Sequence, residues 1–453
     1  MEHAALIARY DGRIPRYTSY PTAPHFSDTV GPQTYAAWLQ GLPDDAALSL
    51  YLHVPFCDRL CLYCGCNTTV VRHEAPRRAY AAMLEREIRM VAELIGRRAR
   101  VGHIHWGGGT PTTLPADCLI DIMDLIRTLF DVQADAEVAI ELDPTALPAD
   151  RLAALSGMGI TRASLGVQDL EPMVQQAIGR KQSYEATEAC ATALRAMGIV
   201  SINLDLIYGL PHQTLDSVTR TARRALGLGA DRAAVFGYAH VPWMKRHQSL
   251  IDEAALPGAE ARFAQSRAIH EVLIREGGYV PVGLDHYALP NDSLALASAA
   301  SGLKRNFQGY TTDAAPALIG LGASAIGGLP QGYVQNATGV PAYTAAIGQG
   351  VLATVRGLAV TAEDRLRRDV IERIMCGATT DLPAIAAAHG MDVALLLAAE
   401  PGLAQCAADG LITWDGAQVT VTEAGRPFAR NVAALFDAYL SRASTKPRHA
   451  QAV

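Results

Sequence analysis

The chain has 453 residues, half of them hydrophobic, and a net charge of −6 at pH 7. That length predicts two or three domains, or one large α/β barrel with an appendage. The basic residues are scattered, which excludes an electrostatic case for nucleic acid. The N-terminus lacks a basic-then-apolar secretory pattern. The most apolar segments, such as residues 317–329, are broken by glycine and fall short of the ~18 residues a membrane span needs. A cytoplasmic protein without a membrane partner is expected, and no surface motif argues against a monomer. In a reducing cytosol, clustered cysteines bind metal or do redox work more often than they form disulfides.

Residues 1–46 read as irregular, with the string PRYTSYP at 15–21 and a short helical pattern near 33–42. From residue 48 a regular alternation begins. Buried strands are predicted at 48–54, 101–106, 137–142, 162–167, 202–208 and 233–239. Amphipathic helices are predicted at 77–98, 116–130, 149–158, 184–197, 215–228 and 259–276. Six strand-then-helix units imply a parallel sheet with right-handed crossovers. Six fall short of the eight that close a full barrel, so the fold expected is α/β, a partial (β/α)6 barrel spanning 47–285. Residues 279–358, rich in Gly, Ala and Pro, read as loops with short elements, and 286–358 as a connecting segment packing on the barrel mouth. Helices at 362–375, 382–389 and 393–399, strands at 411–414 and 418–421, and a last helix at 426–439 suggest a small, mostly α, winged-helix-like domain over 359–440. The tail 441–453 is expected to be disordered.

The chemistry concentrates after the first strand. Cys57, Cys61, Cys64 and Cys66 have the spacing C-x3-C-x2-C-x-C. Soft thiolates favour zinc or iron–sulfur. Structural zinc normally uses two separated ligand pairs, and no second pair follows. Four cysteines in one loop fit a multi-iron cluster better, and three thiolates on a [4Fe–4S] cluster leave one iron open. Structural zinc with Cys66 or His53 as fourth ligand is the alternative. The second strand ends in WGGGTPT (106–112), whose glycines allow close backbone approach and supply unpaired N–H groups. The third ends in Glu141 and Asp143, the fourth in Gln168 and Asp169, the sixth in YAHVP. Asp205 sits inside an apolar run. Strand C-terminal ends face the barrel mouth, where such folds place their active sites. Each polar residue taken singly is as readily a helix cap. A buried, unpaired Asp205 is costly, so it needs a partner or a ligand. Arg180 and Lys181 either meet a ligand carboxylate or are solvated. Cys118, Cys190, Cys376 and Cys406 sit singly on helical faces and read as core. His53 and His240 stand out among the histidines because they lie at strand ends.

C-x3-C-x2-C after a first strand and GGGTP after the second resemble the radical S-adenosylmethionine (SAM) enzymes. RYTSYPTAPHF (16–26), HVPFC and CGCN (53–67), IELDP (140–144), GVQD (166–169), NLDLIYGLP (203–211), YAHVPWMKRHQ (238–248), DHYALP (285–290) and NFQGYTT (306–312) narrow the resemblance to the oxygen-independent coproporphyrinogen III oxidases. It covers nearly the whole chain. It implies that Cys57, Cys61 and Cys64 hold a [4Fe–4S] cluster whose open iron is chelated by SAM. A first SAM is then expected at Tyr51, Gly108, Glu141 and Ile326. A second is expected at Tyr63, Gly109, Thr110, Gln168, Arg180, Asp205 and Ala239. Tyr63 stands where family members also carry Phe. Cys66 is the extra cysteine of this branch, implied to act in catalysis rather than to ligate the cluster. The implied reaction converts two propionates of coproporphyrinogen III to vinyl groups. Reductive cleavage of SAM gives a 5′-deoxyadenosyl radical, which takes a hydrogen from the propionate β-carbon; CO2 and one electron then leave. A reductant for the cluster and an electron acceptor are implied partners. The resemblance makes residues 1–46 a substrate lid. Arg16, Lys245, Arg246, Lys304 and Arg305 are candidates to meet the substrate's carboxylates. The alternative is a heme-binding or heme-delivery protein on the same fold; such relatives typically lack the cysteine at Cys66 and the RYTSYP segment, both present here.

Overall fold

The computed structural model describes residues 3–440, so the tail 441–453 lies outside the described residues. Where the apolar runs lie, six parallel strands form: β1 (Leu48–Val54), β2 (Arg100–Gly108), β3 (Asp131–Leu142), β4 (Arg162–Gln168), β5 (Ser201–Tyr208) and β6 (Arg232–Gly237). β1 is buried along almost its whole length, as a strand covered on both faces must be. The helices α1 (Glu74–Ile95), α2 (Ala116–Leu129), α3 (Ala149–Met158), α4 (Tyr184–Ala196) and α5 (Leu215–Gly227) return the chain between strands. α1 buries Tyr80, Leu84, Ile88, Val91 and Ile95, a stripe at three-and-four spacing. α5 begins with a reciprocal capping box between Thr214 and Ser217.

The sheet continues beyond these six. Residues 279–358, expected as loops with short elements, supply six further strands. Next to β6 lies β8 (His286–Ala288) and then β7 (Val280–Val282), both pairs antiparallel. On the other side β9 (Ala317–Leu321) runs parallel to β1, followed by the antiparallel β10 (Ile326–Leu329), β11 (Gly332–Asn336) and β12 (Thr354–Ala359). The order across the 12-stranded sheet is β12-β11-β10-β9-β1-β2-β3-β4-β5-β6-β8-β7. These added strands are short, and glycines in β9–β12 interrupt the alternation that announces a strand. A separate hairpin pairs Lys304–Asn306 with Gly309–Thr311.

The helix α6 (Ala259–Glu271) follows β6 and closes with a π-turn, Val272–Glu276. In the C-terminal region, helices Ala362–Met375, Leu382–Ala388, Ala394–Leu397 and Glu400–Ala408 accompany a small sheet of Thr380–Asp381, Gln418–Val421 and Ile412–Trp414. The last helix, expected over 426–439, is a 3-10 turn Arg426–Phe428 and an α-helix Ala429–Ala434. Past Ala434 the chain tightens, the amides of Leu435, Phe436 and Asp437 donating three residues back rather than four, and the amide of Ala438 donates to the Tyr20 hydroxyl at 3.0 Å.

That contact belongs to a second core. Leu6, Ile7, Tyr17 and Tyr20 pack with the C-terminal helices, apart from the main core around the sheet. The Tyr17 hydroxyl donates to Asp437 at 3.0 Å, and Arg9 pairs with Asp409 at 2.6 Å. The N-terminal segment and the C-terminal region thus form one wall. Arg16 reaches from it to the carbonyl of Gly237, at the end of β6, at 3.0 Å. Among the described residues no helix is long and apolar enough to cross a membrane.

Candidate active site

After β1 the chain forms a two-residue strand, Phe56–Cys57, paired in parallel with Thr69–Val70. This clamp closes the loop carrying Cys61, Cys64 and Cys66, with Cys57 at its root. All four cysteines line one cavity of ≈ 970 Å³ at the C-terminal ends of the parallel strands. Three of the sulfurs accept a donor. The Thr110 hydroxyl lies 3.8 Å from Cys57, Arg180 Nη1 3.7 Å from Cys61, and the Cys66 amide 3.4 Å from Cys64. Such donors favour charge on sulfur, as around ligating thiolates. The Cys66 thiol, more than its amide, pulls the Cys64 thiol down to about 6, while burial pushes that of Cys57 up to about 11.

The glycines ending β2 set the spacing between this loop and the sheet. Gly108 has φ +115, and a Cβ there would lie 2.8 Å from the His53 ring. A Cβ on Gly109 would collide with the Phe56 carbonyl and come 2.9 Å from the Cys57 sulfur. The amides expected to be unpaired are in fact donated. Gly108 N–H goes to Glu141 at 3.2 Å, Gly109 N–H to the Val54 carbonyl at 2.8 Å and Thr110 N–H to the Phe56 carbonyl at 2.7 Å. The motif therefore staples β2 to the cysteine loop.

His53 is held on both nitrogens. Nε2 donates to the Asn67 carbonyl at 3.1 Å, and Nδ1 accepts from the Tyr51 hydroxyl at 2.9 Å. Burial keeps its pKa below the ordinary value. With both nitrogens engaged, His53 is not placed to complete a zinc site. Glu141 also faces His105 Nε2 at 3.2 Å. Gln168 adopts φ +68, an uncommon left-handed conformation for a residue with a side chain. Asp205 has the partners its burial demands: it accepts from Ser164 Oγ at 3.0 Å and Asn203 Nδ2 at 2.9 Å, and burial pushes its carboxyl up to about 6. Asp143 lines the cavity as well, while Asp169 turns back on the protein. Asp143 accepts from Thr145 at 2.8 Å and Asp169 from Gln213 at 2.6 Å.

Tyr63, Gly108, Gly109, Thr110, Glu141, Gln168, Arg180, Asp205 and Ala239 line the same cavity as the cysteines. Arg180 is fixed there by the Gly166 carbonyl at 2.8 Å, Gln182 at 3.1 Å and Asp143 at 3.3 Å; Lys181 beside it is exposed. Tyr51 and Ile326 stand behind the lining. The Tyr51 ring flanks Gly107, and Ile326 opens β10 against Gly320, the register partner of Tyr51. Cys118, Cys190, Cys376 and Cys406 are buried, as core packing requires.

Three side chains of the KRHQ run hold the cysteine loop in place, and the sequence did not single out two of them. His247 Nε2 donates to the Cys64 carbonyl at 2.8 Å and Gln248 Nε2 to the Tyr63 carbonyl at 2.9 Å. Lys245, expected at a substrate carboxylate, donates to the Cys66 carbonyl at 2.9 Å. Their signal was a polar run directly after an apolar one, which does not say what it binds. His240 points elsewhere, to Tyr238 at 2.9 Å and Glu253 at 3.0 Å.

Residues 51–225 match the radical SAM superfamily, and residues 360–428 match the HemN C-terminal domain. The chain is 51% identical to the oxygen-independent coproporphyrinogen III oxidase of Bradyrhizobium diazoefficiens, over 99% of this chain and 100% of that one. It is 42% identical to the enzyme of the same name from Paracoccus denitrificans, over 98% and 99%. Among solved structures it resembles the coproporphyrinogen III oxidase (HemN) of Escherichia coli, a radical SAM enzyme. The TM-score is 0.90 at 38% identity, covering 96% of this chain and 98% of that one.

Proposed function

The chain belongs to the oxygen-independent coproporphyrinogen III oxidase family of radical SAM enzymes, and from that membership we propose that it decarboxylates two propionates of coproporphyrinogen III to vinyl groups, giving protoporphyrinogen IX without dioxygen. The observation that carries this reading is convergence. The cysteine loop, the glycine-rich end of β2 and the carboxylates of β3 and β5 all line one cavity, beneath a wall built by the N-terminal segment and the C-terminal region. The relatives reported above carry the enzyme's name, which favours this reading over a heme carrier.

The residues present fit the family's cofactors. Among the described residues no three His, Cys, Asp or Glu side chains gather tightly enough for a single metal ion. Three thiols facing one cavity, each accepting a donor, suit a cluster with one iron per thiolate better than structural zinc. Cys57, Cys61 and Cys64 are assigned to the [4Fe–4S] cluster. Tyr51, Gly108, Glu141 and Ile326 are assigned to one SAM, and Tyr63, Gly109, Thr110, Gln168, Arg180, Asp205 and Ala239 to a second. When bound, these groups supply a radical able to take hydrogen from carbon. The chain's own part is placement. Arg180 and Thr110 hold donors on the sulfurs, Gln248, His247 and Lys245 fix the loop, and the wall over the mouth excludes water and dioxygen. Cys66 is assigned to the reaction rather than to the cluster, so Cys66→Ser is expected to keep its iron and lose turnover; loss of iron would make it a ligand. Each decarboxylation removes one hydrogen, one CO2 and one further electron, so a reductant and an electron acceptor serve as partners, and we place the enzyme in the cytoplasm as a monomer.

The test is anaerobic turnover. Reconstituted protein with SAM, a reductant and coproporphyrinogen III is expected to release two CO2 per protoporphyrinogen IX. Consumption of SAM with no change in the porphyrinogen would overturn the substrate.

A further inference from the structure

Beside the main cavity lies a second, smaller one of ≈ 90 Å³, and the two share the lining residues Arg16, Phe236, Gly237, Tyr238, Ala239 and Arg430. Its walls come from four separate parts of the chain: the N-terminal segment, the ends of β5 and β6 with α6, the stretch 284–305, and the C-terminal region. The charge around it is lopsided. Arg16, Arg262, Arg267, Arg305, Arg426 and Arg430 line it, against the carboxylates of Asp285 and Glu423. Both carboxylates are already engaged. Asp285 lies 2.7 Å from His286 Nδ1, and its charge also acts on Arg305 and Arg16, while the largely exposed Glu423 lies 3.6 Å from His270.

Two of the guanidinium groups, those of Arg305 and Arg262, are not fully served by the protein. Arg305 donates from Nη2 to the Arg16 carbonyl at 3.3 Å and lies over the Tyr310 ring at 4.4 Å, while its Nε and Nη1 are buried with no acceptor. The Nε of Arg262 is likewise buried without one. Buried N–H groups without acceptors are costly, and more so on a cation. Burial first, and then the nearby Arg16, draw Arg430 down to about 10, whereas at Arg305 burial is outweighed by Tyr310 and Asp285, which hold it above its ordinary value. A planar anion accepting several N–H bonds relieves both the missing acceptors and the mutual repulsion. The volume suits a group of a few heavy atoms, given ~30 Å³ for one water in the liquid. A carboxylate on a short arm matches that size and charge, and the continuity with the main cavity lets the rest of its molecule lie over the cysteine loop.

We infer that this arginine-lined cavity is a carboxylate subsite, gripping a substrate propionate other than the one being decarboxylated, with Arg262 and Arg305 as its principal donors. The inference rests on the chain's acting on coproporphyrinogen III. It accounts for the joint construction of the wall over the mouth: the arm of the substrate is held where the N-terminal segment meets the C-terminal region.

The experiment compares the holoenzyme with Arg262→Gln, Arg305→Gln and Arg305→Lys, and with Arg223→Gln as a control, since Arg223 pairs with Glu276 at 2.8 Å on the exposed surface. Under anaerobic turnover the two Gln variants are expected to raise KM for coproporphyrinogen III about tenfold to a hundredfold with little change in kcat. Their iron content and melting temperature should match wild type, the Lys variant should lie between, and the control should not move. Unchanged KM in both Gln variants overturns the subsite. A binding measurement on the unaltered protein covers variants that fail to fold. Coproporphyrin III, the oxidised tetracarboxylate, is expected to bind at least tenfold more tightly than its tetramethyl ester, and equal binding also overturns the subsite. If the wild type binds and converts no coproporphyrinogen III, it is the proposed function that fails; normal conversion with indifferent variants sinks the subsite alone.

Discussion

Gly109 packs against the root of the cysteine loop with no room to spare. An alanine methyl there would collide with the Phe56 carbonyl and press on the Cys57 sulfur. Gly109→Ala is therefore expected to cost roughly 1–3 kcal/mol and to lower iron uptake severalfold. Iron per chain after anaerobic reconstitution, with a thermal melt alongside, checks both. Asp205 shows the opposite relation between stability and function. Burial raises its carboxyl from an ordinary 3.8 to about 6, so the folded state holds the proton more tightly than the unfolded chain. Its contribution to stability is therefore greatest below pH ~4 and is lost as pH rises through about 6. Asp205→Asn is expected to stabilise the cofactor-free protein at neutral pH by roughly 1–3 kcal/mol and to flatten its melting profile between pH ~4 and ~6, while weakening SAM binding. A melting temperature that falls in the variant at neutral pH would contradict this. At this scale the cysteines, the glycines and the strand-end acids were legible because their residue types are unusual where they stand. Arg262 was not, because an arginine on an amphipathic helix looks like any solvated one.

Among the elements, the strap from Lys245 to Gln248 decides how firmly the cysteine loop is held. Gln248 spans two backbones, donating to the Tyr63 carbonyl at 2.9 Å and accepting from the Val241 amide at 2.6 Å. It is buried, so Gln248→Ala leaves both groups unsatisfied and is expected to cost roughly 1–3 kcal/mol. Hydrogen exchange of the amides in residues 61–66 should quicken in that variant, and unchanged exchange would show that the clamp at Phe56–Cys57 alone suffices. The six parallel strands were readable because helix and strand periods alternate cleanly over residues 48–239. The strands β7–β12 were not: three to six residues long, several of them glycine-bearing, they depend on neighbours already in place rather than on their own pattern. Past Ala434 the last helix tightens into turns whose amides donate three residues back, and the tie from Ala438 to Tyr20 that follows is a tertiary contact local propensity cannot foresee.

For the whole molecule, the N-terminal segment and the C-terminal region are joined to each other and set over the barrel mouth. Leu6, Ile7, Tyr17 and Tyr20 share a core with the C-terminal helices, and Arg16 and Arg430 line both cavities beneath. An apolar cluster formed from residues some four hundred positions apart leaves no periodic trace in either segment. Its location over the cysteine loop is what a reaction intolerant of water and dioxygen requires. The most direct measurement uses coproporphyrinogen III deuterated at the propionate β-carbons, turned over anaerobically by the reconstituted enzyme with SAM and a reductant. Deuterium is expected in the 5′-deoxyadenosine recovered, and vinyl groups in the product. Deoxyadenosine free of deuterium, formed while the porphyrinogen stays intact, would contradict this.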